Sequence, residues 1–308
     1  MPGARVAGST RTVGIIGWPV SHSLSPAIHN AAFAALGIDW VYVPMPVHPL
    51  QLFTALDGLA ALGFAGANVT MPHKAAVADL VDDPSDDARR LHAVNTIVCH
   101  GDRLRGENTD APGFERFLQI DAGFDPSGRH ALIFGAGGAA RACALALARS
   151  GVASITVAAR KTVHVTEVAE ALEGLAVPVE AVAFEAAAGV KADVVVNATP
   201  LGARGETLPL PPLDEGSLVV DLLYHPAVTP LQVQARAAGA AAFGGVGLLL
   251  HQAALSFQMW TGQPPPLEVM SAAALAAISD RLTPDPAGCR AHRGPGAQAF
   301  GTARRCEM

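Results

Sequence analysis

The stretch ALIFGAGGAARACALALARSG, residues 131–151, places a cluster of glycines between an apolar run and an amphipathic segment. Gly135, Gly137 and Ala140 occupy the G-x-G-x-x-G/A positions, which provide a tight turn, a bare backbone beside a pyrophosphate and close packing of helix on strand. The first turn of the helix adds unpaired N–H groups and the positive end of a dipole. Any tight turn can use glycine, but with these flanks the stretch predicts a dinucleotide-binding Rossmann unit.

The next strand indicates which dinucleotide is bound. NAD sites usually carry an acidic residue about 20 positions after the glycines, where it holds the ribose 2′-hydroxyl. This chain has TVAARKT there, with Arg160 and Lys161 in place of the acid. A guanidinium binds a 2′-phosphate through paired hydrogen bonds, whereas a carboxylate repels it. The alternative is two solvated basic residues at a strand end, so the sequence favours NADP over NAD.

Outward from this turn, short apolar runs alternate with helix-like segments, a pattern typical of α/β folds with parallel sheets. A first unit ends near GENTDAPGFERFL, and a second, doubly wound unit follows. The stretch DDPSDDARR is predicted as a loop, and the segment after residue 238 as a glycine-rich turn before a long uncharged helix. That helix is free to return and cover the first unit. The predicted strands are TVGIIG, WVYVPMPV, GFAGANVT and AVNTIVCH, then HALIFG, SITVAAR, VEAVAF, ADVVVNAT and SLVVDLLY.

Composition narrows the possible partners. The chain has 308 residues, half of them hydrophobic, with a formal charge of −6. This balance leaves no basic face for a phosphate backbone, so we expect a small-molecule substrate and no nucleic acid. The four cysteines have no paired spacing, which argues against a zinc site or a disulfide framework. We expect a monomer or homodimer.

Location is predicted from what the sequence lacks. No charged region followed by a long apolar one precedes the first strand, so no signal peptide and a cytoplasmic location are expected. From Ala237 to Leu267 no charged residue occurs, which exceeds the usual length of a membrane span. Glycines, glutamines, a histidine and three prolines interrupt this run, and we interpret it as a buried helix. Residues 284–308 lack periodicity and are predicted to form a disordered tail.

Polar clusters follow the apolar strands of the first unit. SHSLSP places two serines so that both hydroxyls can face one oxyanion, although a helix cap would also use serine. NVTMPHK, AVNT and ENTD add amide, hydroxyl, ammonium and carboxylate groups suited to a hydroxylated ligand. The side chains that these clusters offer are Ser23, Ser25, Asn68, Thr70, Lys74, Asn95 and Asp110.

Together these motifs resemble the shikimate dehydrogenase family. The similarity extends from Val13 to Gly262 and keeps the family's order of motifs. The matching stretches are SHSLSP, NVTMPHK, AVNT, NTD, GAGGAAR, NATPLG, DLLYHPAVTPL and GLLLHQAALSFQMWTG.

The resemblance implies the reversible NADPH-dependent reduction of 3-dehydroshikimate to shikimate, on the route to chorismate and the aromatic amino acids. It makes Lys74 and Asp110 the acid/base pair, without a metal, and gives Ser23 and Ser25 the substrate carboxylate. The further substrate contacts implied are Thr70, Asn95, Tyr224 and Gln252. The cofactor contacts implied are Gly135, Ala136, Gly137, Gly138, Ala139, Arg160, Lys161, Thr199, Leu222 and Gly245.

The predicted architecture is α/β with two domains. Residues 1–110 and 246–283 form an N-terminal αβα substrate-binding catalytic domain completed by C-terminal helices, and residues 111–245 form a Rossmann NADP-binding domain.

Some positions depart from the family pattern. His92 stands where glycine is frequent, Ala111 and Pro112 where a glycine often follows the aspartate, and His164 where a second arginine is often found. A quinate/shikimate or aminoshikimate dehydrogenase is therefore an alternative. From another class, a non-catalytic metabolite-binding regulator is a further one, but such a protein is expected to have lost Lys74 or Asp110.

Overall fold

Two six-stranded sheets organise the chain. The computed structural model describes residues 6–160 and 165–282. The first sheet has the order β2-β1-β3-β5-β6-β4. Its strands are β1 Arg11–Gly17, β2 Trp40–Pro46, β3 Gly66–Val69, β4 Asp83–Pro84, β5 Thr96–His100 and β6 Arg103–Glu107. The helices that accompany it are α1 Ser25–Leu36, α2 Leu52–Ala61, α3 Lys74–Leu80 and α4 Asp86–Leu91.

The first sheet is mixed, whereas the sequence pattern predicted parallel pairing. β5 pairs antiparallel with both β3 and β6. The reason is the connection between β5 and β6, in which only Gly101 and Asp102 separate the paired ends His100 and Arg103. A two-residue connection closes a hairpin, because parallel strands need a crossover of a dozen residues or more.

The acidic stretch at residues 82–90 was wrongly predicted as a loop, since most of it forms α4. The Ser85 side chain accepts a hydrogen bond from the backbone N–H of Ala88 and caps the helix. Acidic residues fill the first turn and two arginines the last, which is the charge order that a helix dipole favours. Capping and dipole charges therefore make a helix of a segment that has little apolar periodicity.

The second sheet is parallel throughout and has the order β12-β11-β10-β7-β8-β9. The segment after residue 238, predicted as a turn, contributes the edge strand β12. Its residues are alanine, phenylalanine and glycine, which give little strand signal. The strands are β7 His130–Phe134, β8 Ser154–Ala158, β9 Val179–Val182, β10 Val194–Asn197, β11 Leu218–Asp221 and β12 Ala241–Gly244. The helices that follow α4 are α5 Asp110–Arg116, α6 Gly138–Arg149, α7 Val165–Ala171, α8 Pro230–Ala237, α9 Val246–Thr261 and α10 Leu267–Leu282.

The last two helices return to the first sheet and cover one of its faces. Phe257 and Trp260 of α9 are buried with Val13 of β1 and Phe33 of α1, and the indole N–H of Trp260 donates to the carbonyl oxygen of Ile97 at 2.9 Å. The opposite face packs on α2 and α3. The first unit is thus an αβα sandwich completed by C-terminal helices, and the second is a Rossmann unit, as predicted. The tail, residues 284–308, lies outside the described residues.

The uncharged run from residue 237 to 267 spans α9 and its flanks rather than one long helix. α9 has 16 residues. Across residues 6–160 and 165–282, no helix is long and apolar enough to cross a membrane.

Candidate active site

An ion pair joins the first residues of two helices. Lys74 begins α3 and Asp110 begins α5, and Lys74 Nζ lies 2.5 Å from Asp110 Oδ2. The other carboxylate oxygen of Asp110 accepts a hydrogen bond from Asn95 Nδ2 at 2.8 Å. The Lys74 side chain is 24% exposed and the Asp110 side chain 12% exposed. The carboxylate is therefore held on both oxygens, while the ammonium keeps an open side for a ligand.

A cavity of about 210 Å³ opens beside this pair. The loops after strands of the first sheet line one wall, and α9 lines another. All eight of the substrate contacts implied by the sequence meet here, namely Ser23, Ser25, Thr70, Lys74, Asn95, Asp110, Tyr224 and Gln252. Hydroxyl and amide groups dominate this set, and they can exchange hydrogen bonds with a small polyhydroxylated ligand.

The two serines share the start of α1 but do not simply cap it. The N-cap residue of α1 is Leu24, and no side-chain cap bond is made there. The backbone N–H of Ser25 donates to Ser23 Oγ at 3.2 Å, and the Ser25 hydroxyl lies near the Tyr42 phenol. Burial raises the pKa of Tyr42 well above its ordinary value, so this phenol is a neutral partner.

Buried side chains beside the cavity form a hydrogen-bond network that the sequence did not predict. Tyr42 Oη donates to Asn68 Oδ1 at 2.8 Å. Asn68 Nδ2 in turn donates to Ser256 Oγ of α9 at 2.9 Å and to Thr96 Oγ1 at 3.0 Å. Thr109, next to the acidic partner, donates its backbone N–H to Asn95 Oδ1 at 2.8 Å. These contacts fix β3, β5 and α9 relative to one another at the cavity.

A second cavity, of about 880 Å³, lies at the carboxyl edge of the parallel sheet. It is lined by the predicted cofactor residues Gly135, Ala136, Gly137, Arg160 and Thr199. Three others, Ala139, Leu222 and Gly245, line the first cavity instead. Since Ala139 is two residues from Gly137, the two cavities adjoin at the start of α6. Gly138 is the first residue of α6, and Lys161 lies outside the described residues, as does His164.

The residues of the second cavity fit a dinucleotide. Gly135 has φ of 99°, a left-handed conformation that favours glycine. A Cβ added at Gly137 would meet no atom within 4 Å, so the bare backbone borders open space. The N-terminus of α6 has no side-chain cap, which leaves its first N–H groups for an anion. With the Arg160 guanidinium, this donor set suits phosphate groups. The Thr199 hydroxyl donates to Asn197 Oδ1 at 2.7 Å and is not one of these donors.

Three residues lie elsewhere relative to the two cavities than the sequence suggested. His92 does not line either cavity; its backbone φ is 43°, and its Nε2 lies 2.8 Å from Asp79 Oδ1 on the surface. Its departure from the family pattern therefore concerns a left-handed turn and not substrate contact. His22 lines the first cavity and Glu167 the second, although neither was assigned to a site. His22 adjoins a serine of the SHSLSP motif, a signal that was present in the sequence.

The fold and the two adjoining cavities define a class of protein, a two-domain dinucleotide-dependent oxidoreductase with a small polar substrate site. A protein of Moorella thermoacetica described as a shikimate dehydrogenase (NADP(+)) is 47% identical over 275 residues, which cover 86% of this chain and 93% of that protein. The chain belongs to the shikimate dehydrogenase family.

Family models match three segments. The shikimate dehydrogenase substrate binding domain matches residues 15–97, and the shikimate 5′-dehydrogenase C-terminal domain matches residues 245–275. Between them, residues 129–225 match a model described as NADP oxidoreductase, coenzyme F420-dependent. This middle match covers the parallel sheet up to β11.

Solved structures share the fold over nearly the whole chain. Shikimate 5-dehydrogenase of Thermus thermophilus, in complex with NADP(H) and shikimate, is 36% identical with a TM-score of 0.79, covering 87% of this chain and 100% of that one. Quinate dehydrogenase of Corynebacterium glutamicum, in complex with NAD, is 32% identical with the same TM-score of 0.79, covering 87% and 99%. Backbone similarity alone therefore does not separate the two activities.

Proposed function

We propose that this chain catalyses the reversible NADPH-dependent reduction of 3-dehydroshikimate to shikimate. The observation that carries the proposal is the Lys74–Asp110 pair on a polar cavity that adjoins a dinucleotide cavity. The relatives described as NADP(+)-dependent shikimate dehydrogenases support both the substrate and the cofactor.

Lys74 is the proposed acid. NADPH, when bound, supplies a hydride to the carbonyl carbon of the substrate. Negative charge then develops on the carbonyl oxygen, where the Lys74 ammonium stabilises it and transfers a proton, leaving the alcohol. Asp110, 2.5 Å from Lys74 Nζ and fixed by Asn95, holds the ammonium in place. In the oxidation of shikimate the same pair accepts the hydroxyl proton.

The remaining polar groups are proposed to bind and orient the substrate. Ser23 and Ser25 bind the substrate carboxylate. The side chains that bind the ring hydroxyls are Thr70, Asn95, Tyr224 and Gln252. The cofactor phosphates are proposed to lie on the glycine turn at the start of α6, with the 2′-phosphate at Arg160. With this assignment the enzyme prefers NADP to NAD, because the guanidinium binds the 2′-phosphate, which NAD lacks.

The quinate alternative is less well supported, because the residue at the ribose side is basic. NAD sites usually carry an acid at this point. The regulator alternative is disfavoured because Lys74 and Asp110 are both present and in contact. A protein that only binds the metabolite is expected to have lost one of the two.

Initial rates of shikimate and quinate oxidation, each with NADP⁺ and NAD⁺, test the proposal. We expect shikimate with NADP⁺ to give the highest kcat/KM of the four combinations. A higher kcat/KM for quinate with NAD⁺ would replace the proposal by the quinate alternative. Absence of turnover in all four assays, with shikimate binding retained in calorimetry, would favour the regulator.

Domain limits and assembly remain proposals. We place the substrate-binding domain at residues 1–110 and 246–283 and the NADP-binding domain at 111–245, since the two sheets fall on either side of these limits. A monomer or homodimer and a cytoplasmic location are likewise proposals. Light scattering of the purified chain measures its oligomeric state.

A further inference from the structure

The dinucleotide cavity contains an acid that the proposed chemistry does not use. Of the described residues that line this cavity, Arg160 and Glu167 are charged. Glu167 is the third residue of α7, and its side chain is 46% exposed. The negative charge of a carboxylate in this position repels a 2′-phosphate and, unless a cation offsets it, weakens the advantage that Arg160 gives to NADP.

Arg141 forms an ion pair with Glu167. Its Nη1 lies 2.5 Å from Glu167 Oε2, and its Nε donates to the carbonyl oxygen of Leu91 at 3.0 Å. Arg141 is 8% exposed, so the guanidinium is fixed by contacts on two edges and little screened by water. It is the fourth residue of α6, which places it one turn beyond the glycines.

We infer that Arg141 is a positioning residue for cofactor preference: it neutralises Glu167 and holds the carboxylate, so that Arg160 governs the response to the 2′-phosphate. The inference rests on the proposed NADP site. The competing interpretation is a structural ion pair that merely joins α6 to α7. The two differ because only the first predicts an effect on NADP⁺ that is absent for NAD⁺.

Dissociation constants for NADP⁺ and NAD⁺, titrated without shikimate, distinguish these interpretations. We expect Arg141→Met to weaken NADP⁺ binding roughly tenfold, the change that about 1.4 kcal/mol produces, and to leave NAD⁺ binding within about twofold. Adding Glu167→Gln to this variant removes the exposed charge and is expected to restore most of the NADP⁺ affinity. Equal losses for both cofactors, or no recovery in the double variant, would overturn the inference.

Glu167→Gln alone keeps the buried arginine and is the variant to use if Arg141→Met does not fold. It leaves the Arg141 charge uncompensated at the cavity edge, so NADP⁺ binding is expected to tighten a few-fold while NAD⁺ binding is unchanged. Weaker NADP⁺ binding in this variant would overturn the inference.

The matched control is Arg149→Met, which removes another arginine of α6. Arg149 pairs with Asp87 and Glu115 and lines neither the substrate nor the dinucleotide cavity. The ratio of the two dissociation constants is expected to stay at the wild-type value. Failure of the wild-type chain to oxidise shikimate would count against the proposed function alone, because these titrations do not depend on turnover.

Discussion

Lys74 and Asp110 stand 36 positions apart in sequence, yet Lys74 Nζ lies 2.5 Å from Asp110 Oδ2. Each is the first residue of a short helix that begins beside the first sheet. Asn95, which precedes β5, holds the second carboxylate oxygen. The pair is thus arranged by strand ends and helix starts, and it needs no contribution from the glycine turn on which the cofactor is proposed to lie.

Substituting Lys74 with alanine tests its role as the acid. We expect kcat to fall by a factor on the order of 10²–10⁴, the usual contribution of a positioned proton donor. Cofactor binding is expected to be unchanged, because Lys74 does not line the dinucleotide cavity. Steady-state rates and an NADP⁺ titration measure the two effects.

Lys191→Ala is the matched control, since Lys191 is exposed and lies outside both cavities. Its kinetic constants are expected to equal those of the wild-type chain. If Lys74→Ala kept wild-type turnover, the acid assignment would be wrong whatever the fold.

The substrate cavity was predictable because its residues follow apolar strands in short motifs. Carboxyl ends of parallel strands meet at one edge of a sheet, which brings Ser23 and Thr70, after β1 and β3, to the same edge. Asn95 reaches this edge for another reason, because it precedes β5 and β5 pairs antiparallel with β3.

The hydrogen-bond network behind the cavity could not be predicted. Asn68 was recognised as a polar group of the NVTMPHK cluster, but its partner Ser256 is 188 positions away, and no local pattern connects the two. Glu167 was missed for a similar reason, because a glutamate near a helix start usually faces solvent.

A methyl group at Gly137 tests the proposed cofactor cradle. Gly137 has φ of −76° and ψ of −176°, an extended backbone that any residue adopts, and its Cβ would meet no atom within 4 Å. We expect Gly137→Ala to change the free energy of unfolding by no more than about 0.5 kcal/mol. NADP⁺ binding is expected to weaken by about tenfold or more, because the pyrophosphate approaches this backbone closely.

Gly189→Ala serves as the control, because Gly189 also borders open space but lines neither cavity. It is expected to leave NADP⁺ binding unchanged. Urea unfolding and cofactor titration of both variants provide the comparison, and wild-type affinity in Gly137→Ala would place the phosphates elsewhere.

His92 carries a backbone cost that glycine would remove. Its φ of 43° is left-handed, which costs an L-residue roughly 1–2 kcal/mol. Its contact with Asp79 offsets little, since both side chains are at least 60% exposed. We expect His92→Gly to raise the free energy of unfolding by about 0.5–1 kcal/mol and to leave KM for shikimate unchanged. His92→Val is the opposite control, because a β-branched residue is disfavoured at positive φ. Greater stability of His92→Val than of the wild-type chain would contradict the argument.

His29 makes stability depend on pH. Its ring is fully buried and stacks on that of Tyr42 with 4.5 Å between centroids, and within the described residues neither ring nitrogen has a hydrogen-bond partner. Burial lowers the pKa of His29 from 6.5 to about 3. Above pH 6.5 both the folded and the unfolded chain hold it neutral, so it adds no pH dependence there.

Between pH 6.5 and about 3 the unfolded chain binds a proton at His29 and the folded chain does not. The free energy of unfolding therefore falls with decreasing pH, by up to about 1.4 kcal/mol per unit from this group. Carboxylates also titrate in this range, so the informative quantity is the difference between variants. Relative to the wild-type chain, His29→Phe is expected to gain stability steadily from about pH 6.5 to about 4.5 in urea unfolding. A constant difference between His29→Phe and the wild-type chain over this range would mean that the imidazole is protonated in the folded state.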